Sequence, residues 1–174
     1  MKSPDRHRHR ADETVKHVGA GVITVSDTRT EGDDISGRIV REILKNGGAK
    51  VVRYALVKDD VSEIRVALQT MLSNEKVDVI VLNGGTGIAP RDVTPEAIEP
   101  YLDKRIEGFG ELFRSLSFGE IGTASMLSRA LAGVTRNGIV IFALPGSPDA
   151  VKLAMEKIIM PELRHLVSMT RTER

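Results

Sequence analysis

A three-layer α/β/α domain is the fold class this sequence predicts, and three observations predict it. Short runs of β-branched residues alternate with stretches of helical periodicity, the order expected of a sheet covered by helices on both faces. The 174 residues suit one domain with one hydrophobic core. Hydrophobic residues make up 41% of the chain but aromatics only 3%, so Val, Ile, Leu, Ala and Met must build the core, as in parallel sheets packed under helices.

Residues 1 to about 16 (MKSPDRHRHRADETVK) hold almost no apolar side chains and are expected to form a flexible basic tail before a domain at 17–174. His7 and His9 alternate there with Arg6, Arg8 and Arg10, whose like charge disfavours a cation site. Val18 to Val25 is the first β-branched run. Ile35, Ile39, Val40, Ile43 and Leu44 then recur at helical spacing, with Gly47 and Gly48 suited to a C-cap. Ala49 to Val57 reads as a second strand. Val61, Ile64, Leu68, Met71 and Leu72 form a second helical stripe that Asp60 or Ser62 can cap. The run Val77 to Leu82 (VDVIVL), apolar but for Asp78, is the third strand. Thr94-Pro95-Glu96 offers a cap followed by proline, and Ile106 to Leu116 and Ser125 to Leu131 continue as helical segments. Gly138 to Leu144 is the fourth strand signal. The last helix starts near Pro148, turns Val151, Ala154, Ile158 and Ile159 inward, and should end or restart at Pro161.

Composition excludes several classes of function. With 25 basic and 24 acidic residues, the chain has no overall field to hold nucleic acid. No cysteine is present, so disulfides, thiolate metal sites and cysteine nucleophiles are absent. No apolar stretch suits a bilayer or a leader, which makes the cytoplasm the expected compartment and leaves the membrane out as a partner.

Ligands of such sheets sit beyond the carboxyl ends of the strands, so the loops there carry the chemistry. After the first strand, Ser26 and Asp27 begin a loop dense in hydroxyls and carboxylates; they can line a site or merely form a turn and a helix cap. After the third comes Asn83-Gly84-Gly85-Thr86-Gly87, where three glycines let successive N–H groups converge on one anion. It is neither a Walker loop nor the spaced dinucleotide fingerprint. Arg91 and Asp92 follow closely, a bidentate phosphate donor and a carboxylate able to hold Mg²⁺ against it. Asp59 and Asp60, after the second strand, repel one another unless a cation or a helix N-terminus relieves them; Asp60 is the expected cap and Asp59 the freer acid. Gly146 and Ser147 in Leu144-Pro145-Gly146-Ser147-Pro148 open the last helix with a bare amide and a hydroxyl. No Ser-His-Asp order is evident, and His17 and His165 are far from these loops in sequence, so acyl transfer has little support.

Taken together, GGTG (84–87), PRDVTPEA (90–97), MLSRALAGV (126–134) and LPGSP (144–148) closely resemble the MogA/MoaB family of molybdenum cofactor biosynthesis proteins, whose domain recurs as the G domain of gephyrin-like proteins; the likeness runs from about Gly21 to Leu166. The resemblance implies a mostly parallel, five-stranded sheet between helices, and trimers, with hexamers in some members. It also implies that AMP passes from MgATP to the molybdopterin phosphate with release of pyrophosphate, with a molybdenum insertase as a downstream partner. Carried over motif by motif, Asp59 and Asp92 are the implied catalytic and Mg²⁺-binding acids, although Lys58 stands where the family often has proline. Gly84, Gly85, Thr86, Gly87, Gly146 and Ser147 are implied along the ATP phosphates, and Ser128, Arg129 and Ser115 on the pterin side. Two other readings stay open: a carrier that binds molybdopterin without catalysis, and a nucleotide pyrophosphatase on the same fold.

Overall fold

In the computed structural model, which describes residues 15–171, strand β1 (Val18–Val25) lies within the sheet and is buried along its whole length. The expected tail, with His7 and His9, falls largely on residues 1–14, outside the described residues. Helix α1 (Ile35–Asn46), strand β2 (Ala49–Val57), helix α2 (Val61–Leu72) and strand β3 (Val79–Asn83) follow as two crossovers. Short α3 (Thr94–Ile98), the two-residue strand β4 (Lys104–Arg105), helix α4 (Glu107–Ile121) and strands β5 (Leu131–Val134) and β6 (Val140–Leu144) complete the middle of the chain. Helix α5 (Pro148–Ala154) passes through a π turn (Met155–Ile159) into α6 (Met160–Arg171).

The sheet has six strands in the order β2-β1-β3-β6-β5-β4, one more than the five implied by the family resemblance. β2, β1, β3 and β6 run parallel; β5 is antiparallel to β6, and β4, antiparallel to β5, returns to the common direction. Val79, Val81, Val140, Phe142 and Leu144 face one helical layer, of α1, α4, α5 and α6. Ile80, Leu82, Ile141 and Ala143 face the other, with α2 and α3. Alternation along strands buried on both faces explains their unbroken apolar runs. Phe109 meets Phe142 edge to face at 5.2 Å and stacks on Phe113 at 6.4 Å, an aromatic trio in a largely aliphatic core.

Three local expectations change, and the restart expected at Pro161 is found. Ser125–Leu131 is not helical: a 3-10 turn ends at Leu127, and Leu131 already pairs with Ala143 in the sheet. A short run of small apolar residues fits both periodicities, and the free edge of β6 decides between them. Thr94 does not cap α3; it is the first residue of that helix, and its hydroxyl donates to Gly84 O at 2.8 Å. Ile35 is exposed at the start of α1, because Asp34 caps the helix and turns Ser36 and Gly37 inward. At Pro161 the helix restarts: the Met160 N–H reaches back five residues to Met155 O, and proline falls in the first turn of α6. Asp60 caps α2 through Ser62 N–H and Glu63 N–H, and Gly47 with Gly48 closes α1, as the spacing predicts. No described helix is long and apolar enough to cross a membrane.

The chain moves from β1 outward to β2 and then back across β1 to β3. The crevice between the carboxyl ends of β1 and β3 is therefore the place where the sheet reverses its winding, the usual seat of a ligand.

Candidate active site

The loop after β3 has the most constrained backbone in the region. Gly84 has φ +102°, and a Cβ there would lie 2.1 Å from Val25 O. Gly85 has φ +65°, and its Cβ would lie 2.4 Å from Thr94 Oγ1 and 2.8 Å from Asp59 Oδ1. At Gly87 a Cβ would lie 2.6 Å from Asp92 Oδ2. Glycine is required at 84 and 85 both for its left-handed conformation and for the space its neighbours occupy. Gly84 N–H donates to Leu144 O at 3.0 Å. The N–H groups of Gly85, Thr86 and Gly87 make no hydrogen bond to another described residue. A bend with three unengaged amides is an anion cradle in waiting.

Two carboxylates flank this bend. Asp59, at the end of β2, presents Oδ1 to Gly85, and Asp92 presents Oδ2 to Gly87 while accepting Ala89 N–H at 2.8 Å. Asp27 joins them from the end of β1, accepting Asp59 N–H at 3.2 Å. Burial raises the Asp59 carboxyl pKa, and the charges of Asp27 and Asp92 raise it further, against the opposing charge of Arg91. A carboxylate held against two others is a place where a cation lowers the energy. Among the described residues no three acidic or histidine side chains stand close enough to ligate an ion alone. Asp59 and Asp92 could supply the one or two carboxylates that a hard ion such as Mg²⁺ takes from a protein, phosphate oxygens and water filling the rest of its shell.

Ser26 is half-buried, and its hydroxyl accepts Thr28 and Arg29 N–H at 3.3 Å, so it shapes the turn beside the crevice. Gly146 lies against the glycine loop, where its Cβ would be 3.3 Å from Gly84 Cα, and Ser147 caps α5 through Ala150 N–H. Arg91 is exposed. Ser128 and Arg129 reach the same edge from another direction. Arg129 N–H donates to Thr86 O at 2.9 Å, and its guanidinium donates to Gly87 O at 2.7 Å and to Asp92 O at 2.6 Å, and pairs with Glu96. That hydrogen bond holds the Glu96 carboxyl below the usual glutamate range despite some burial. Arg129 thus straps the glycine loop to the segment that carries Asp92. Ser128 accepts Ala130 N–H at 3.3 Å, and Ser115 is exposed on α4.

A second buried network lies beneath the loops and includes residues that the sequence reading did not single out. Asp34 accepts from Thr24 Oγ1 at 2.6 Å, Tyr54 OH at 2.7 Å and Gly37 N–H at 2.9 Å, with Arg29 at 3.5 Å. Burial alone would raise its pKa, but these hydrogen bonds and the Arg29 charge outweigh burial and hold it below the usual carboxylate range. Burial pushes the Tyr54 phenol up to about 12, with the hydrogen bond to Asp34 and its charge adding to the effect. The only local signal in sequence was an acid directly before a helical run, which marks a cap and nothing more.

With this geometry in place, the likenesses to known proteins can be stated. A family model described as "Probable molybdopterin binding domain" matches residues 21–165. A protein of Halalkalibacterium halodurans named molybdenum cofactor biosynthesis protein B is 51% identical over 166 residues, covering 95% of each chain. A crystal structure of a molybdenum cofactor biosynthesis protein B has a TM-score of 0.87 at 49% identity, over 90% of this chain and 98% of that one. The crystal structure of a tungsten cofactor synthesizing protein MoaB from Pyrococcus furiosus has a TM-score of 0.83 at 42% identity, again over 90% and 98%.

Proposed function

We propose, from the premise that this chain belongs to the MogA/MoaB family of molybdenum cofactor biosynthesis proteins, that it is a molybdopterin adenylyltransferase. It joins AMP from ATP to the terminal phosphate of molybdopterin and releases pyrophosphate. The observation that carries this reading is the bend at 84–87, with three unengaged N–H groups between the carboxylates of Asp59 and Asp92.

A phosphate oxygen of molybdopterin attacks the α-phosphorus of ATP, a new P–O bond forms, and the bond to the β-phosphate oxygen breaks. The nucleophile is already an anion, so the protein's work is alignment and charge neutralisation rather than proton abstraction. Amides of Gly85, Thr86 and Gly87 face the charge on the transferring group, and Arg91 adds a mobile cation at the rim. Asp59 and Asp92 would hold Mg²⁺, which when bound supplies positive charge to the departing pyrophosphate. Asp27 orients the Asp59 backbone and keeps local negative potential high. Ser128 stands at the pterin side of the edge, with Ser115 further out along α4.

The compartment is the cytoplasm, and the product would pass to a molybdenum insertase. Self-association as a trimer or hexamer is part of the same reading, supported by apolar side chains left exposed along α4 and the turn after it, including Phe118 at 59% and Met126 at 75%.

The test is incubation with molybdopterin, ATP and Mg²⁺, followed by detection of adenylylated pterin and pyrophosphate. Asp92→Asn should abolish transfer while pterin still binds. Molybdopterin binding without pyrophosphate release would leave a carrier; AMP released from ADP-ribose without pterin would mean a nucleotide pyrophosphatase.

A further inference from the structure

The buried carboxylate of Asp34 is 2% exposed, yet hydrogen bonds link it, directly or through an intermediary, to β1, β2, the end of β3 and the end beyond β6. From β1 comes the Thr24 hydroxyl, which donates to Asp34 and itself accepts Asn83 Nδ2 at 3.0 Å from the end of β3. From β2 comes the Tyr54 hydroxyl, with the Arg41 guanidinium 4.2 Å above its ring. The fourth end is reached through two intermediaries. Arg29, paired with Asp34, donates to Gly146 O at 2.9 Å. Ser36, in the first turn of the helix that Asp34 caps, donates to the same carbonyl at 2.7 Å.

The space around the hub is fully committed. A Cβ at Gly37 would lie 2.0 Å from Asp34 Oδ2 and 2.4 Å from Thr24 Oγ1, so this helix position must be glycine for the carboxylate to reach its donors. A buried carboxylate is tolerated only when its oxygens are satisfied, and here both are.

A peptide group is planar and trans, so its carbonyl and the following N–H point in opposite directions. Two donors on Gly146 O therefore fix the direction of Ser147 N–H, on the side away from Arg29 and Ser36. Asn83 directly precedes Gly84, and Gly146 packs against Gly84. The loop after β3 and the loop after β6 are thus set relative to one another by one buried carboxylate.

We propose that Asp34 is the positioning residue of the nucleotide site: through Thr24–Asn83 and through Arg29 and Ser36 on Gly146, it presets the two phosphate-facing loops. This rests on the adenylyl-transfer reading for the identity of the ligand. Asp34 is buried with both oxygens engaged inside the protein, so its role is positioning and not catalysis.

The test uses the full chain with Mg²⁺ and ATP as probe. Binding is measured by isothermal titration for the wild type, Asp34→Asn and the double variant Arg29→Ala/Ser36→Ala. The tyrosines are titrated by ultraviolet absorbance, with Tyr54→Phe as the reference that isolates the Tyr54 signal. Asp34→Asn should weaken ATP binding about tenfold or more, the scale of one lost charge-assisted hydrogen bond. It should also return the Tyr54 titration towards that of an ordinary phenol, and the KM for ATP should rise while the KM for molybdopterin stays put. The double variant should weaken ATP binding similarly but leave the Tyr54 titration high, because it cuts only the arm to Gly146. This variant also decides the matter if Asp34→Asn does not fold.

Wild-type ATP affinity in a folded Asp34→Asn, or in the double variant, overturns the proposal. A wild type that binds ATP but makes no adenylylated pterin sinks the transferase reading alone. One that binds neither ATP nor pyrophosphate sinks both.

Discussion

At Gly85 two requirements coincide, a left-handed backbone and the absence of a side chain beside Thr94 and Asp59. Gly85→Ala should cost about 1–2 kcal/mol for the backbone alone, and more for the contacts it forces. Thermal melting should show the loss, and ATP binding should fall with it because Asp59 must move. Tyr54 carries the clearest pH dependence. Its phenol is raised in the fold to about 12 from the ordinary 10. The stability it contributes is therefore fully present below pH 10 and is lost as pH rises through that window. Alkaline unfolding between pH 10 and 12 should be less steep in Tyr54→Phe than in the wild type. Asp34 has the opposite sign: its lowered pKa contributes stability above the ordinary aspartate value, lost as acid titrates the folded group.

Among the elements, the strap from Arg129 to the glycine loop determines how well that loop keeps its shape. Arg129→Ala frees Gly87 O and Asp92 O and should cost about 2 kcal/mol, with adenylyl transfer falling further than stability does. If denaturant unfolding and activity fell in proportion, the strap would be only structural. Much of this edge was legible in the sequence, because glycine clusters, a proline-flanked acid and a carboxylate after an apolar run are local signals that the chain cannot disguise. The three loops that begin at Ser26, Gly84 and Gly146 do meet at one end of the sheet. The strap was not legible as such: Arg129 and Gly87 are 42 residues apart, and the segment before β5 has too few residues for its period to be told. The Asp34 hub escaped for the same reason, since Tyr54 and Gly146 come to it only through the fold.

For the molecule as a whole, the exposed apolar face of α4 and its following turn, with Leu112, Leu116, Phe118, Ile121, Met126 and Leu127, is the surface most in need of cover. Sedimentation should find the wild type as a trimer or hexamer and Phe118→Asp shifted towards the monomer. A Phe118→Asp protein that assembles normally would move the interface elsewhere. The six-stranded order carries a different consequence. One margin of the sheet is β4, only two residues long, whereas the opposite margin, β2, runs for nine residues and pairs only with β1 among the described residues. A fibril needs two unlike, complementary margins on every link, and among the described residues just one is long enough to zip. Docking through it can join like to like about a two-fold axis and then must stop, so backbone pairing between copies closes at a pair and cannot propagate into a thread.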